Sequence, residues 1–374
     1  MSWHRFVAIL IKEIRQVRRD RLTFGMMVAV PIIQLLIFGF AINSDPKHLP
    51  AAILVSDHSE FSRSFVAGLE NSKYFRITHR LRNEAEGDAL LASGRVQFVL
   101  VVPPGFSTKL LRGEHPAMLL AADATDPSAT GNAIAALNGI AQRAVGRELV
   151  GTLSHLRAGE APFEVRVQRR YNPDGLSSYN VVPGLIGVIL TMTMVMMTSL
   201  AMTRERERGT MENLLATPAR PLEVMLGKLA PYILIGYVQV SVILIAARLL
   251  FAVPMVGSMA LLSAVLVLFI AANLAVGFTF STIAQNQLQA MQLTFFFFLP
   301  SMLLTGFMFP FRGMPAWAQA IGEVLPLTHF LRVVRGIMLK GNGFAEVSND
   351  VWPIALFMLI AGAVAMLRYR QTVD

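Results

Sequence analysis

A polytopic α-helical membrane protein with six transmembrane helices, carrying an inserted extracytoplasmic α/β domain between spans one and two, is the fold class this sequence predicts. Three observations carry it. Mean hydropathy is +0.53, with 54% apolar and only 15% charged residues, whereas soluble domains average about 25% charged. Uncharged runs recur at 22–44, 175–203, 229–247 and 249–311, and about 20 apolar residues suffice to cross a hydrocarbon core of ~30 Å. Between the first two runs, charges of both signs return, and short β-like stretches alternate with helical periodicity, the pattern of a compact α/β unit.

Residues 1–21 place Trp3, Phe6, Val7, Leu10, Ile14 and Val17 at helical spacing among Arg5, Lys12, Arg15, Arg18, Arg19 and Arg21. This predicts an amphipathic helix in the cytoplasmic interface. The basic region is too long for a cleaved signal peptide, and no small-residue cleavage site follows it. Residues 22–44 form span one, with Pro31 tolerated where neighbouring helices compensate.

Residues 45–175 are the α/β domain. Strands are expected at Ala51–Ser56, Tyr74–Thr78, Arg95–Val102, Ala117–Ala122 and Phe163–Gln168, and helices at Glu60–Asn71, Glu84–Ala92 and Ser128–Leu156. The basic N-terminus puts the domain on the opposite, periplasmic side, because the positive-inside rule weighs short flanks and excuses long translocated domains. His48, His58, His79, His115 and His155 show no metal-ligand spacing.

Residues 176–374 hold spans two to six. Span two covers 178–203, span three 229–251, and two further spans fill 249–311, divided at Gln285-Asn286-Gln287. Residues 310–345 are broken by Pro310, Gly313, Pro315, Gly322 and Pro326, which predicts short helices in the outer interface. Span six runs from Val351 to Leu367, and Arg368 and Arg370 place its end, like the N-terminus, in the cytoplasm.

The chain's densest charge cluster, Arg204-Glu205-Arg206-Glu207-Arg208, opens the segment 204–220 between spans two and three. Thr210 is placed to N-cap a short helix, Met211, Leu214 and Leu215 give it an apolar face, and Pro218 ends it. Such a helix fits a partner's groove; equally, the charges serve to stop span two and fix topology. Within the spans, Met192 and Met196 lie on a Met-rich face suited to varied apolar ligands or to plain packing. Gln239 and Asn273 are mid-span amides that either line a cavity or bond neighbouring helices. Phe295 and Phe298 bound an aromatic block that forms a constriction or faces lipid.

No Gly-x-x-x-x-Gly-Lys-Ser/Thr phosphate loop, Gly-x-Ser-x-Gly elbow or His-Glu-x-x-His motif occurs. The spans lack the buried carboxylates of ion-coupled transport. With no cysteine, thiolate metal sites and disulfides are absent. The net charge of +9 sits beside apolar spans, where retention on the cytoplasmic side and anionic membrane lipid explain it, so nucleic acid is not an expected partner.

The run Arg204, Glu205, Arg206, Glu207, Arg208, Gly209, Thr210 with Glu212, Leu214, Leu215, Thr217 and Pro218 resembles the coupling segment of ABC-2-type exporter permeases. Tyr171-Asn172-Pro173 with Val182-Pro183-Gly184 agrees, as do Gly306-Phe307-Met308-Phe309-Pro310, Met314-Pro315, Pro326-Leu327-Thr328-His329-Phe330 and Arg335-Gly336. The resemblance covers essentially the whole chain. It implies a half-transporter paired with a second copy or close homologue, each bound to a separate ATPase subunit that holds ATP and magnesium. It also implies a pathway at the dimer interface along spans two and five, and an ectodomain that can dock a periplasmic adaptor and outer-membrane channel. The expected function is ATP-driven export of hydrophobic or amphipathic compounds across the bacterial inner membrane. The alternatives are export of a lipid or lipid-linked glycan, and a membrane-anchored ligand-binding receptor, for which six spans exceed what an anchor needs.

Overall fold

The computed structural model describes residues 46–145, 163–208 and 221–371. The expected interface helix at 1–21 and span one at 22–44 lie outside the described residues.

The first unit is a five-stranded sheet in the order β2-β1-β3-β4-β5. Its strands are β1 (Leu49–Val55), β2 (Phe75–Arg80), β3 (Phe98–Val102), β4 (Ala117–Asp123) and β5 (Glu164–Arg170). The helices are α1 (Glu60–Asn71), α2 (Glu84–Ala92), α3 (Phe106–Leu111) and α4 (Pro127–Val145). β1 pairs in parallel with both β2 and β3, β4 runs antiparallel to β3, and β5 is parallel to β4. Side chains alternate across a strand, so β1 sends Leu49, Ala51 and Ile53 to one face and Ala52 and Leu54 to the other. The first face is covered by Phe65 of α1 and Leu137 of α4, the second by Leu90 and Leu91 of α2. A chain that goes from β1 to β2 over one face, and then to β3 over the other, has both faces of its central strand buried, which is why β1 and β3 read as nearly continuous apolar runs. Ser59 and Asn83 cap α1 and α2 by accepting from the amides of Ser62 and Glu86.

The sequence pattern places these elements closely, with two differences; of the helix expected over Ser128–Leu156, residues 146–156 lie outside the described residues. The strand expected from Arg95 begins at Phe98, because the amides of Arg95 and Val96 turn back to the Leu90 carbonyl of α2, and only from Gln97 on does the chain bond to β1 and β4. The short helix α3 was not anticipated. It follows Pro103-Pro104-Gly105, where Gly105 takes φ +69, and its six residues are too few to show periodicity.

The second unit holds α5 (Ser177–Glu207), α6 (Pro221–Phe251), α7 (Met259–Ile283), α8 (Gln287–Leu304) and α11 (Phe344–Gln371). These five are long and apolar enough to cross a membrane. Between α8 and α11 lie a 3-10 turn (Phe311–Gly313), α9 (Ala316–Val324), α10 (Pro326–Arg335) and a π-helical turn (Gly336–Lys340). α11 starts ahead of the expected span, at Phe344, with Glu346 accepting from the Gly343 amide.

α5 and α7 form the centre, being about half buried by protein, whereas the apolar stretches of α6 and α11 are 17% and 11% buried. Gly277 of α7 makes their close crossing possible. A Cβ there would sit 2.6 Å from the Val195 carbonyl oxygen and 2.9 Å from Thr198 Cβ. α10 closes the bundle at one end, where Phe330 stacks on Phe269 of α7 with ring centroids 4.0 Å apart.

The two units meet at a polar joint. The last carbonyls of α2 and the turn after it also accept from the membrane unit: Leu91, which takes the Gly94 amide as well, from Lys340 Nζ at 3.0 Å, Ala92 from Asn342 Nδ2 at 2.9 Å, and Gly94 from Arg312 Nη2 at 2.9 Å. Lys340 also pairs with Asp123 at 2.5 Å, their side chains 7% and 9% exposed. Asn180, at the start of α5, donates to Asp126 at 2.9 Å. The α/β unit is thereby fixed to the end of the bundle where α5 begins and α8 finishes.

Candidate coupling site and pathway

The far end of the bundle carries the charged cluster. α5 stays uncharged through Thr203 and then continues into solvent for one charged turn, with Arg204, Arg206 and Glu207 exposed and Glu205 half-buried. The turn between α7 and α8 approaches it. Asn286 N-caps α8 by accepting from the Gln289 amide at 2.9 Å. That leaves the Gln287 amide directed outward, and it donates to Glu207 Oε1 at 2.8 Å, while Gln287 Nε2 donates to Oε2 at 2.5 Å. Arg204 Nε donates to Gln287 Oε1 and Arg206 Nη1 to the Ala284 carbonyl, both at 3.4 Å. A carboxylate at the first turn of α8 also meets the positive end of that helix.

Arg204, Arg206 and Glu207 thus clamp three helices into one unit. Of the other expected coupling residues, Gly209, Thr210, Glu212, Leu214, Leu215, Thr217 and Pro218 lie outside the described residues. Gln287 and Ala284 went unrecognised as partners of this cluster, since Gln285-Asn286-Gln287 reads only as a turn. The available signal was topological: in a six-span chain the connections after spans two and four fall on the same side.

The six expected pathway residues are distributed over α5, α6, α7 and α8. Met192 and Met196 are half-buried on α5, with Met192 packed against the main apolar core. Gln239 of α6 accepts from Thr193 Oγ1 of α5 at 3.0 Å, joining the two helices. Asn273 is fully buried in α7 and donates to its own helix at Phe269 O, 2.9 Å away. On α8, Phe295 is 40% exposed and Phe298 is buried at 9%. Besides Asn273 Oδ1 on α7, the hydroxyls of Thr191, Thr198 and Ser199 on α5 are buried without a partner among the described residues. Those residues hold no cluster of three His, Asp or Glu side chains able to bind a metal.

A bundle of long apolar helices, with a folded domain on one end and a charged helix clamp on the other, is the architecture of a multi-pass membrane protein. The sequence comparison names the kind. Residues 21–367 match the family described as ABC-2 family transporter protein, and the chain belongs to that family. It is similar to the probable multidrug ABC transporter permease YbhS of Escherichia coli, 31% identical over 381 residues covering 100% of this chain and 99% of that protein. The inner membrane transport permease YhhJ of the same organism is 30% identical, covering 97% of this chain and 96% of its own length. A more distant relative, the ABC transporter G family member 20 of Dictyostelium discoideum, is 23% identical over 94% of this chain and 48% of that protein. The chain is accordingly a permease that works with an ABC ATPase subunit, and ATP hydrolysis belongs to that subunit.

Proposed function

We propose that this chain is the membrane subunit of an ATP-driven exporter that moves hydrophobic or amphipathic, drug-like compounds out of the cytoplasm or the inner leaflet. The observation that carries the reading is the clamp of Arg204, Arg206 and Glu207 on the α7–α8 turn, at the end of the bundle away from the α/β domain. A force applied to residues 204–218 would reach α5, α7 and α8 together. In this reading the ATPase, holding ATP and magnesium, docks on 204–218, and two permease copies face each other across a pathway. Both termini are cytoplasmic in a bacterial inner membrane. The α/β domain is periplasmic and offers a surface to an adaptor and outer-membrane channel. Uncharged spans and the multidrug names of the relatives favour amphipathic cargo.

The test is co-purification of the tagged chain from native membranes, followed by transport in proteoliposomes. An ATPase subunit is expected to follow the wild type and to be lost in Glu212→Lys, which spares the Glu207 clamp. A wild-type chain that brings no ATPase under gentle conditions, and moves no lipophilic dye with ATP, would end the proposal.

A further inference from the structure

The joint between the two units encloses a cavity of about 630 Å3, within the range of roughly 300–1,000 Å3 typical of small-molecule sites. One wall comes from the α/β unit at 92–97 and 123–129, the other from 305–312 and from α9, α10 and the start of α11. Ten charged side chains line it in equal numbers of each sign, so net charge does not identify a ligand; the state of each group does.

Every lining carboxylate is already engaged. Asp123 takes Lys340 and the Thr125 hydroxyl, Asp126 takes Asn180 and Ser128, and Glu323 takes Arg332 through both oxygens. Asp350 takes His329 and Arg332, and Glu346 takes the Gly343 amide. The guanidinium groups are not equally served. Arg332 has two carboxylates, which raise its pKa against the opposing effect of burial. Arg312 and Arg335 have none within ion-pair distance among the described residues. Arg312 spends one donor on the Gly94 carbonyl. Arg335 makes two long bonds, to Asn180 O at 3.4 Å and Gly306 O at 3.3 Å, and its buried Nη2 has no partner. Burial lowers the pKa of Arg335, and the more distant Asp126 and Asp123 do not offset it.

Arg312 and Arg335 both line this cavity, Arg312 from the turn before α9 and Arg335 from the end of α10. Phe311, over whose ring Arg332 lies at 4.8 Å, and Trp352 add aromatic surface to the lining, and Trp352, 59% exposed near the start of α11, stands open to the surroundings. Spare guanidinium donors next to apolar rings match a planar or tetrahedral oxyanion attached to an apolar body.

We propose that this cavity binds the oxyanion head of an amphipathic compound, a phosphate or carboxylate on an apolar chain, with Arg312 and Arg335 as its donors. The site stands apart from the coupling clamp, and it holds its ligand whether or not an ATPase is bound. An anionic lipid headgroup and a free anionic amphiphile present the same chemistry to it.

The test is equilibrium binding of labelled octyl phosphate to the full chain in nanodiscs of neutral phosphatidylcholine, with empty discs subtracted. Saturable binding is expected, weakened by about tenfold or more in Arg312→Gln and in Arg335→Gln, as for loss of a charge-assisted hydrogen bond. Octyl trimethylammonium should not compete. Arg312 is open to the cavity, so Arg312→Gln carries the test alone if the Arg335 variant fails to fold, and Arg312→Lys should recover part of the affinity. Phosphatidylglycerol added to the discs separates the sources: competition assigns the site to lipid headgroups, its absence to free amphiphiles, and either result supports an oxyanion site. Absence of saturable binding, equal affinity in the wild type and Arg312→Gln, or displacement by the cationic amphiphile would overturn it.

Discussion

Asp57, just past the end of β1, shows how much a single buried carboxylate organises. It is 7% exposed and accepts from the Ser59 amide at 3.0 Å and the Ser62 hydroxyl at 3.3 Å on one oxygen. On the other it accepts from the Ser107 amide and hydroxyl at 2.9 and 2.8 Å. Burial alone would raise its pKa, but the hydrogen bonds from Ser59 and Ser107 outweigh it and hold the carboxyl well below the usual range. A pKa depressed in the folded state stabilises the fold at pH values above the unfolded carboxylate's, near 3.9, and that stabilisation is lost as pH falls toward the folded value. Asp57→Asn should therefore cost about 2 kcal/mol at neutral pH, as for hydrogen bonds to a charged group. The gap between variant and wild type should shrink steadily below about pH 4. Hydrogen exchange of the α1 and α3 amides over that pH range measures both effects; a constant gap would show that packing, not charge, holds the loop. Nothing in the sequence distinguishes Asp57 from other loop aspartates, because its decisive partner, Ser107, stands 50 residues away.

Elements were far more legible than residues, for a reason visible in α7 and β1. Residues 249–311 contain no charge, so a spanning helix is forced wherever the run exceeds the membrane thickness. β1 alternates between two apolar layers bounded by turn residues. Elements without such constraints escaped notice: α3 is too short, and the π turn at Gly336–Lys340 obeys no hydrophobic period. The crossing of α5 and α7 was also hidden, since a glycine in a membrane helix signals close approach without naming its neighbour. Gly277→Val should push against the Val195 carbonyl, a backbone atom that cannot rotate away. It should cost at least the roughly 1–3 kcal/mol of ordinary overpacking. Gly362→Ala is the control, because a Cβ there meets nothing within 4 Å, and a helical Gly to Ala change should be neutral or stabilising by about 0.5–1 kcal/mol. Thermal unfolding of the two purified variants should separate clearly; equal midpoints would mean that α5 and α7 part easily. The clamp makes a matching case. Glu207→Gln removes the charge but leaves an oxygen acceptor, so it should retain more ATP-dependent transport than Glu207→Lys, which repels Arg204 and Arg206. Equal transport in both would reduce the cluster to a topological signal.

At the scale of the whole molecule, the joint decides whether the α/β unit travels with the membrane helices. Sequence reading separated the two units but could not dock them, because Lys340 meets Asp123 across 217 positions of chain and Asn342 meets Ala92 across 250. Such contacts leave no periodic trace. Lys340 is also unusual in serving two needs at once. It neutralises a carboxylate that is almost fully buried, and it supplies a cation to the C-terminal end of α2, where the helix dipole favours one. Breaking one partner of a buried pair typically costs about 3–5 kcal/mol, because the other charge is left unpaired, whereas removing both is far less costly. Lys340→Met should therefore loosen the joint severely. Asp123→Asn added to it should restore much of the loss, since the amide oxygen still accepts from Thr125 and no charge remains buried. Limited proteolysis and hydrogen exchange at residues 88–97 read the joint directly, with the clamp at Glu207 as an internal reference that should not change. If the double variant opens as far as the single one, the bond from Lys340 to the Leu91 carbonyl, rather than the ion pair, anchors the α/β unit. A joint that stays closed in both would show that Arg312, Asn342 and Asn180 hold the two units together without it.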